Sequence, residues 1–316
     1  MSIVHKSYNF YDINEAVELV NEAERAFEKS LDASSEAILK SGANIVLLSG
    51  PSSSGKTTAS DKLIYNFEEK GKRVKVISLD DFYFNREYLF EMSRKKGVAL
   101  DFDSPDTIDF EYLKICVDLI KEGKSAEIPY FDFTTGRREG YNTLSPDEYD
   151  IIIFEGIQAI YNEFLEIVRG CNYKLVFISP SSSICADGVL FLPEELRLAR
   201  RIVRDYYFRS SSVPFILDLW RGVRENEEKN IEPNRERADI RIDSTLAYEP
   251  CVIKKKLLAI TGLSSLDGID DDYRRYVEEF LRKFESVPSI SEGLVPPTSV
   301  FREFIGGREK DKKENG

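Results

Sequence analysis

The stretch Gly50–Thr58 has the residue types and spacing of a phosphate-binding loop: Gly, four residues, Gly, Lys and Thr. The apolar run Asn44–Leu48 before it predicts a buried strand, and apolar residues at helical spacing predict a helix over Thr58–Lys70. A strand, a Gly-rich turn and a helix N-terminus in this order present backbone N–H groups to phosphate oxygens. We therefore predict a nucleotide-binding loop here rather than a plain Gly/Ser turn.

Two side chains of this loop have specific expected roles. Lys56 would reach the β- and γ-phosphates of the nucleotide, and the Thr57 hydroxyl would bind Mg²⁺. The remaining contacts with the nucleotide are expected from the small residues of the same loop, which are Gly50, Ser52, Ser53, Ser54, Gly55 and Thr58.

Two carboxylates stand at the ends of predicted strands. Asp80 follows the strand predicted over Val74–Leu79, and Glu155 follows the apolar run Ile151–Phe154. Because ligands of open parallel sheets bind outside the carboxyl ends of the strands, both side chains are expected beside the phosphate loop. Asp80 could accept the proton of a hydroxyl that attacks a γ-phosphate and could touch Mg²⁺, while Glu155 would contact the metal. The simpler alternatives are a capping Asp and a surface Glu.

A group of arginines is the third chemical feature. All lie on or just after a helix predicted over Glu194–Phe208, with no lysine among them, at positions Arg197, Arg200, Arg201, Arg204 and Arg209. A solvated charged face is the usual explanation for such a run. In an acidic protein, arginines also suit bidentate phosphate contacts, and a lid that closes over a triphosphate would need such a set.

Composition excludes several classes of function. The 316 residues carry 44 basic and 56 acidic side chains, a net charge of −12, which argues against a nucleic-acid or anionic-membrane surface. No apolar run has the length of a membrane span, and the polar N-terminus does not resemble a signal peptide. His5 is the only histidine and the four cysteines are scattered, which disfavours histidine catalysis and zinc sites and predicts a cytoplasmic protein with reduced thiols.

Strand and helix patterns alternate along most of the chain and predict an α/β fold, with a mostly parallel sheet covered by helices on both faces. A β-hairpin arm is predicted from Glu127–Phe133 and Tyr141–Leu144. The secondary structure of residues 88–100 is ambiguous from the sequence. An N-terminal helix is predicted over Asn14–Leu39, with a possible break near Asp32. The other predicted strands are Tyr173–Ile178 and Ala238–Asp243, and the other helices are Asp109–Glu122, Pro214–Asn230, Val252–Ile260 and Asp271–Phe284.

Together these motifs resemble the uridine kinase (uridine–cytidine kinase) family, within the wider group that includes phosphoribulokinase. The matching segments occur in the family's order and are GPSSSGKTT, LDDFY, DFDSPDTIDF, IPYFDFTTGRR, IIIFEG and RLARRIVRD. Further stretches, up to VPPTSVFREFIGG, are similar to a bacterial nucleoside kinase subgroup. Members of that subgroup often carry an N-terminal TGS-like domain, which we expect to be absent because residues 1–40 are too few to form it.

The resemblance implies an ATP- and Mg²⁺-dependent P-loop kinase that phosphorylates the 5′-hydroxyl of a nucleoside, with uridine or cytidine as the first candidates. It implies Asp80 as general base, Glu155 as metal-site acid, and Arg204 and Arg209 on the transferring phosphates from the lid. Expected acceptor contacts are Asp103 and Arg201 on the ribose hydroxyls, with Phe131, Phe133 and Arg138 on the hairpin arm.

The expected organisation is a helical extension at 1–40, the kinase domain at 41–250, a helical extension at 251–307 and a disordered tail at 308–316. Oligomeric state, including a homo-oligomer, remains open.

Two positions depart from the family pattern. Phe131 stands where uridine–cytidine kinases have Tyr, and Gly136 stands where many have a base-reading His. Both changes remove polar groups that would read a base, although Phe131 and Phe133 could still stack on a ring. Other acceptors (a purine nucleoside, a sugar phosphate or a pantothenate-like alcohol) therefore stay open, as does a nucleotide-binding regulator without catalysis.

Overall fold

A five-stranded parallel sheet lies at the centre of the computed structural model, which describes residues 5–8, 12–97, 102–263 and 270–308. The strands are β1 (His5–Tyr8), β2 (Ile45–Ser49), β3 (Val74–Ser78), β4 (Ala126–Asp132), β5 (Arg137–Leu144), β6 (Ile151–Glu155), β7 (Tyr173–Ser179), β8 (Ser183–Ala186), β9 (Val189–Phe191) and β10 (Ile240–Asp243). The helices are α1 (Ile13–Ser41), α2 (Lys56–Glu68), α3 (Arg86–Lys96), α4 (Phe110–Lys121), α5 (Asn162–Ile167), α6 (Pro193–Arg209), α7 (Val213–Asn226), α8 (Glu249–Leu263), α9 (Asp271–Ser286) and α10 (Arg302–Ile305).

The central sheet has the strand order β10-β7-β2-β6-β3, with every neighbouring pair parallel. In this register Leu48 of β2 and Ser78 of β3 both lie opposite Glu155 of β6. The carboxyl ends of these three strands are therefore level. The loops that follow them, including the predicted phosphate loop, meet at one edge of the sheet.

Both faces of the sheet are covered, as the continuous apolar strand sequences predicted. Val46 and Leu48 of β2 belong to one core cluster, with α1, α2, α6, α8 and α9, whereas Ile45 and Leu47 belong to a second cluster with α4, α5 and the β4–β5 arm. Successive strand residues point to opposite faces, so this alternation fills two cores with one apolar strand. The predicted fold class, an α/β protein with a parallel sheet between helices, is confirmed.

Several elements differ from the sequence prediction. The helix α1 runs unbroken through Asp32, and the ambiguous residues 88–100 contain most of α3. The small sheet β1-β8-β9 was not predicted. Its strands are only three or four residues long, too short to show periodicity, although Asp187 and Gly188 between β8 and β9 both have positive φ and form a typical hairpin turn.

The predicted flanking segments pack onto the sheet. Buried residues of α1, α8, α9 and the C-terminal residues around Phe301 share one core cluster with β2 and β6. Of the tail predicted to be disordered, residues 309–316 lie outside the described residues, and Arg308 forms an ion pair with Asp61 of α2. None of the described helices is both long and apolar enough to cross a bilayer.

A buried carboxylate joins three distant parts of the chain. Glu24 of α1 is 7% exposed and accepts hydrogen bonds from the Tyr248 hydroxyl and from Ser299 Oγ (2.6 Å). Burial, and then the negative charge of Glu24, raise the pKa of Tyr248 well above its usual value, so the phenol stays protonated and donates. This network fixes α1 and the C-terminal segment against the residues that precede α8.

Replacing Glu24 by Ala should therefore lower the free energy of unfolding by about 1–3 kcal/mol, because it leaves two buried hydroxyls without their acceptor. Urea denaturation followed by circular dichroism measures this difference. Glu22→Ala is the matched control, since Glu22 is exposed on the same helix and the substitution has the same helix propensity. Equal stability of the two variants would contradict the role given to the network.

Candidate active site

A cavity of about 700 Å³ opens at the level carboxyl ends of β2, β3 and β6. Its walls bring together most of the residues predicted from the sequence: Ser52, Ser53, Ser54, Gly55, Lys56, Thr57, Asp80, Asp103, Glu155, Arg201, Arg204 and Arg209. Residues separated by up to 157 positions in the chain thus meet in one concave site, as the strand-end argument predicted.

The phosphate loop requires glycine at two positions. A side chain at Gly50 would place its Cβ 2.1 Å from the carbonyl oxygen of Ile178, so backbone packing leaves no room for one. Gly55 has φ of +90°, and a Cβ there would lie 2.5 Å from Val300. Ser53 also has a left-handed backbone, with φ of 60°. This tight winding turns successive N–H groups of the loop towards one point, the arrangement that binds anions.

Two of the predicted phosphate-binding arginines instead hold the loop from behind. Arg197 donates to the carbonyl oxygen of Ser52 (3.0 Å) and Arg200 to that of Ser53 (3.3 Å). Arg197 and Arg200 are 4% and 0% exposed, so the solvated charged face considered for this helix does not exist. Because both side chains are committed to loop carbonyls, they position the loop rather than contact the nucleotide.

Each of these buried arginines has a carboxylate partner that the sequence did not reveal. Arg197 pairs with Glu227, just after α7, and Arg200 pairs with Glu249, the first residue of α8. A buried guanidinium without a carboxylate partner would lower the stability of the fold, so each arginine needs its carboxylate. A third support comes from the Ser244 hydroxyl, which donates to the carbonyl oxygen of Ser54 (2.6 Å).

The free groups of the loop fit a bound phosphate chain. The hydroxyls of Ser53 and Ser54 are buried, and neither has a hydrogen-bond partner among the described residues. Lys56 lies back along the loop, with Nζ 2.8 Å from the carbonyl oxygen of Gly50, and Thr57 is exposed to the cavity at the start of α2. Orphaned hydroxyls, a nearby ammonium and a helix N-terminus form the donor set that phosphate oxygens require.

Asp80 lies beside this loop in a half-buried, hydrogen-bonded position. Its Oδ1 accepts from Nε2 of Gln158 (3.2 Å), a fully buried residue that follows β6 and was not singled out in the sequence. Burial raises the pKa of Asp80 above its usual value, while the charge of Lys56 and the Gln158 hydrogen bond oppose that rise. A carboxylate with a raised pKa and a fixed orientation is suited to accept a proton. The adjacent Asp81 caps no helix and instead accepts from the Phe131 N–H (3.1 Å), which ties the β4–β5 arm to the residues after β3.

Glu155 shares the cavity with Asp80. Burial raises its pKa to about 6, with Lys56 opposing the shift and Asp80 adding to it. Within the described ranges, no three His, Cys, Asp or Glu side chains converge to hold a metal by themselves. The oxygens of Thr57, Asp80 and Glu155 instead fit Mg²⁺, which favours a few carboxylate or hydroxyl ligands and takes its others from water and phosphate.

Three arginines of α6 surround a single carboxylate at the cavity wall. Asp205 lies 2.7 Å from Nε of Arg204, 3.6 Å from Nε of Arg201 and 3.5 Å from Nη1 of Arg209. Arg201 also donates to Ser52 Oγ (2.9 Å). Two further acids act on this group, Asp103 on Arg201 and Glu303 on Arg209. The three guanidinium groups at the cavity wall are suited to bidentate contacts with phosphate oxygens.

The middle of the helix that carries these arginines packs into the core. Leu198, Ala199, Ile202 and Val203 of α6 are all 1% exposed or less. A lid that closes over the triphosphate from this helix stays a prediction. Among the predicted arginines of α6, Arg209 at the last position has the most exposed side chain, at 61%, and the other four are exposed by 12% or less.

A second cavity, of about 300 Å³, adjoins the first. It is lined by Tyr83, Arg86, Leu89, Phe102, Phe131 and Phe133, and it shares Tyr83 and Phe102 with the main cavity. Phe131 is buried at 6% exposure with its ring 5.0 Å from that of Phe133, which is exposed at 56%. The predicted aromatic acceptor residues therefore form the wall of an apolar pocket beside Asp80 and Asp103.

The departure at Gly136 has a steric explanation. Gly136 has φ of +72°, and a Cβ there would lie 2.8 Å from Cβ of Arg86. Arg86 also donates to the carbonyl oxygen of Phe133 (2.8 Å), which holds the arm against α3. Arg86 thus occupies the space that a side chain at position 136 would need.

Arg138, predicted to contact the acceptor, lies elsewhere. Its guanidinium donates to the carbonyl oxygens of Tyr83 (3.0 Å) and Phe82 (2.8 Å) and to Asp109 (3.1 Å). It lines neither of the two cavities. In this geometry Arg138 links the arm to the loop after β3 and does not face a substrate cavity.

Several residues that line the main cavity belong to no motif recognised in the sequence. One wall is a face of α7 and the turn after it, and another residue, Glu303, comes from α10. The α7 wall includes Asp218, Gly222, Asn226, Lys229 and Asn230. Asn226 is linked to the acceptor side, because it donates to the Tyr161 hydroxyl (3.0 Å), which donates to the carbonyl oxygen of Asp103 (2.6 Å).

Comparison with known proteins places this site in context. A uridine kinase from Macrococcus caseolyticus is 30% identical over 62% of this chain and 85% of its own length. A uridine kinase from Ureaplasma urealyticum is 26% identical over 63% of this chain and 86% of its own length. Uridine kinase-like protein 4 of Arabidopsis thaliana is 30% identical over 62% of the chain, and that match spans only 37% of the plant protein.

The fold has solved counterparts among kinases. A candidate fructose transport system kinase from Silicibacter sp. TM1040 superposes with a TM-score of 0.51 at 18% identity, covering 67% of this chain and 98% of that one. At this identity the likeness shows the fold alone. The model of the Phosphoribulokinase / Uridine kinase family matches residues 45–248, which is more than half of the chain. These matches confirm the enzyme class predicted above, a phosphotransferase, and the chain belongs to the phosphoribulokinase/uridine kinase family of P-loop kinases.

Proposed function

We propose that this protein is an ATP- and Mg²⁺-dependent nucleoside kinase that converts a nucleoside to its 5′-monophosphate. The observation that carries the proposal is the common cavity of the phosphate loop, Asp80, Glu155 and the arginines around Asp205, with an aromatic pocket next to it. An anion site, a carboxylate base and a ring-sized apolar pocket are the three parts that phosphoryl transfer to a nucleoside requires. The uridine kinases among the relatives support the same acceptor class.

In the proposed reaction the nucleoside 5′-hydroxyl attacks the γ-phosphorus of ATP. A bond forms between O5′ and phosphorus, the bond to the bridging oxygen breaks to release ADP, and the hydroxyl proton passes to Asp80. Lys56 and the arginines Arg204 and Arg209 offset the charge that develops on the phosphates. Mg²⁺, held by Thr57, Asp80 and Glu155, would neutralise phosphate charge when bound.

The acceptor is held by two kinds of contact in this proposal. Asp103 and Arg201 would bind the ribose hydroxyls; both line the main cavity, and Asp103 follows Phe102, which the two cavities share. Phe131 and Phe133 would contact the base. The pocket offers a base few polar groups, since Arg86 is bonded to Phe133 and the Tyr83 hydroxyl donates to the carbonyl oxygen of Phe102 (2.7 Å). Uridine or cytidine is the first candidate, with weak discrimination among bases.

Asp80→Asn should lower kcat by about 10²- to 10⁴-fold, because the amide cannot accept the hydroxyl proton. Nucleotide affinity should stay within a few-fold of that of the wild type. Steady-state ADP release and calorimetric nucleotide binding measure the two effects. Asp81→Asn is the matched control, since its amide oxygen can still accept from the Phe131 N–H. Similar turnover in the two variants would remove Asp80 from the catalytic role.

The pH dependence should show an acid limb. Mg²⁺ binds ionised Glu155, and protons compete for that carboxylate as the pH falls through its pKa of about 6. Both kcat/KM and Mg²⁺ affinity should therefore decline below about pH 6, and higher Mg²⁺ concentration should move the decline to lower pH. In Glu155→Gln this Mg²⁺-dependent displacement should become smaller, because Asp80 is then the remaining carboxylate ligand. An acid limb that does not respond to Mg²⁺ in the wild type would argue against Glu155 as a ligand.

The acceptor proposal is tested with a panel of nucleosides, ribulose 5-phosphate and pantothenate in the ADP-release assay. We expect turnover with ribonucleosides only, and kcat/KM values for different bases within about 10²-fold, because an apolar pocket separates similar ligands weakly. Turnover with ribulose 5-phosphate or pantothenate alone would reassign the acceptor. No turnover with any member of the panel would favour a nucleotide-binding regulator.

A further inference from the structure

The first turn of α2, directly after the phosphate loop, is bonded to a carboxylate from the far end of the chain. Both the backbone N–H and the hydroxyl of Thr58 donate to Oε2 of Glu303, at 3.3 and 3.1 Å. Glu303 belongs to α10, within a C-terminal strap formed by residues 295–306, and it lines the main cavity. The contact joins residues 245 positions apart.

The two donors on Thr58 are groups that a nucleotide phosphate would use. The N–H groups of the first helical turn have no carbonyl partner within the helix, and at the end of a phosphate loop they point at the phosphates. The residue before α2 is Gly55, which has no side chain to cap them. Glu303 therefore places a negative charge where a phosphate oxygen would otherwise bind.

The strap itself is firmly anchored. Val300, Phe301, Phe304 and Ile305 are each 1% exposed or less. Arg302 donates to the carbonyl oxygens of Pro296, Gly306, Glu292 and Val295. The Glu303 side chain is only half-buried. Release of Thr58 therefore requires a rotation of one side chain and no movement of the strap.

The charges around Glu303 make its position unfavourable for a second anion. Glu303, Asp80 and Asp61 are all negative charges close enough to act on Glu155, so Glu303 belongs to an acidic group at this side of the cavity. Lys56 acts on Glu155 with the opposite sign, and Glu303 acts on Arg209. A triphosphate that enters this cavity finds Thr58 already bonded to Glu303. To bind Thr58, the triphosphate must displace the Glu303 carboxylate and must also approach its negative charge.

We propose that Glu303 is an internal competitor for the phosphate loop, which weakens the affinity for nucleotide and is displaced from Thr58 when a nucleotide binds. The proposal rests on nucleotide binding as part of the proposed function, and it makes Glu303 a determinant of affinity for the phosphate donor. The competing ligand is any polyphosphate that reaches the first turn of α2, so the effect follows the phosphates and not the base.

The test is the affinity of the full chain carrying Glu303→Gln for ATP, ADP and inorganic tripolyphosphate, measured by calorimetry at fixed Mg²⁺. Removing the charge should lower each Kd by about 3- to 30-fold, the range expected for loss of a partly exposed charged hydrogen bond. Glu292→Gln is the matched control. It lies in the segment just before the strap and pairs with Lys256 (2.9 Å), away from Thr58, so its Kd values should equal those of the wild type.

Glu303→Asp supplies a second variant that keeps the charge but withdraws it from Thr58. Its Kd values should fall between those of the wild type and of the Gln variant, and they decide the matter if the Gln variant does not fold. An unchanged Kd together with a lower melting temperature would mean that Glu303 only caps α2, and would overturn the proposal. A weaker affinity that tracks weaker Mg²⁺ binding would make Glu303 a metal ligand and would overturn it as well.

These binding measurements do not involve the acceptor, so the two proposals fail separately. Absence of nucleoside-dependent ADP release, with tighter polyphosphate binding in Glu303→Gln, would reject the nucleoside kinase and keep the competitor. Nucleoside turnover with no change in Kd would do the reverse. Failure of every variant to bind any of the three probes would reject both.

Discussion

The carbonyl groups of the phosphate loop impose the main constraint on this structure. A loop that turns its N–H groups into a cavity must turn carbonyl oxygens away from it, towards the protein interior, where each needs a donor. Here Arg197, Arg200 and Ser244 supply those donors. The two guanidinium groups are buried, so each in turn needs a carboxylate, which Glu227 and Glu249 provide.

This chain of requirements explains the placement of several elements. The helix α6 must lie under the loop, α7 must end where Glu227 reaches Arg197, and α8 must begin where Glu249 reaches Arg200. The remaining arginines of α6 then face the cavity, where they share Asp205. One helix therefore supports the loop backbone and also supplies the positive charge for the phosphates, because its arginines project in both directions.

The sequence was informative wherever a function depends on neighbouring residues. The phosphate loop and the carboxylates Asp80 and Glu155 follow apolar strands directly, so their positions at one sheet edge could be predicted. The split of the arginines into supporting and cavity-facing groups could not, because it depends on which carboxylates meet the helix after folding. Gln158 follows β6 closely but has no motif that marks it, and Glu303 reaches the site through tertiary packing alone. The motif of Arg138 shows that it belongs to the arm but not that its guanidinium donates to Phe82, Tyr83 and Asp109.

The phosphate loop contacts residues near the C-terminus of the chain, and this has a consequence for folding during synthesis. During synthesis from the N-terminus, β2, the phosphate loop and α2 emerge long before the strap that carries Val300 and Glu303. Until then the apolar faces of α1 and α6 lack the partners that α8, α9 and the strap provide. Contacts over such separations form slowly, since much chain must be ordered first. The core and the nucleotide site are therefore completed by the same C-terminal residues, since the strap both covers the core and carries Glu303 to the phosphate loop.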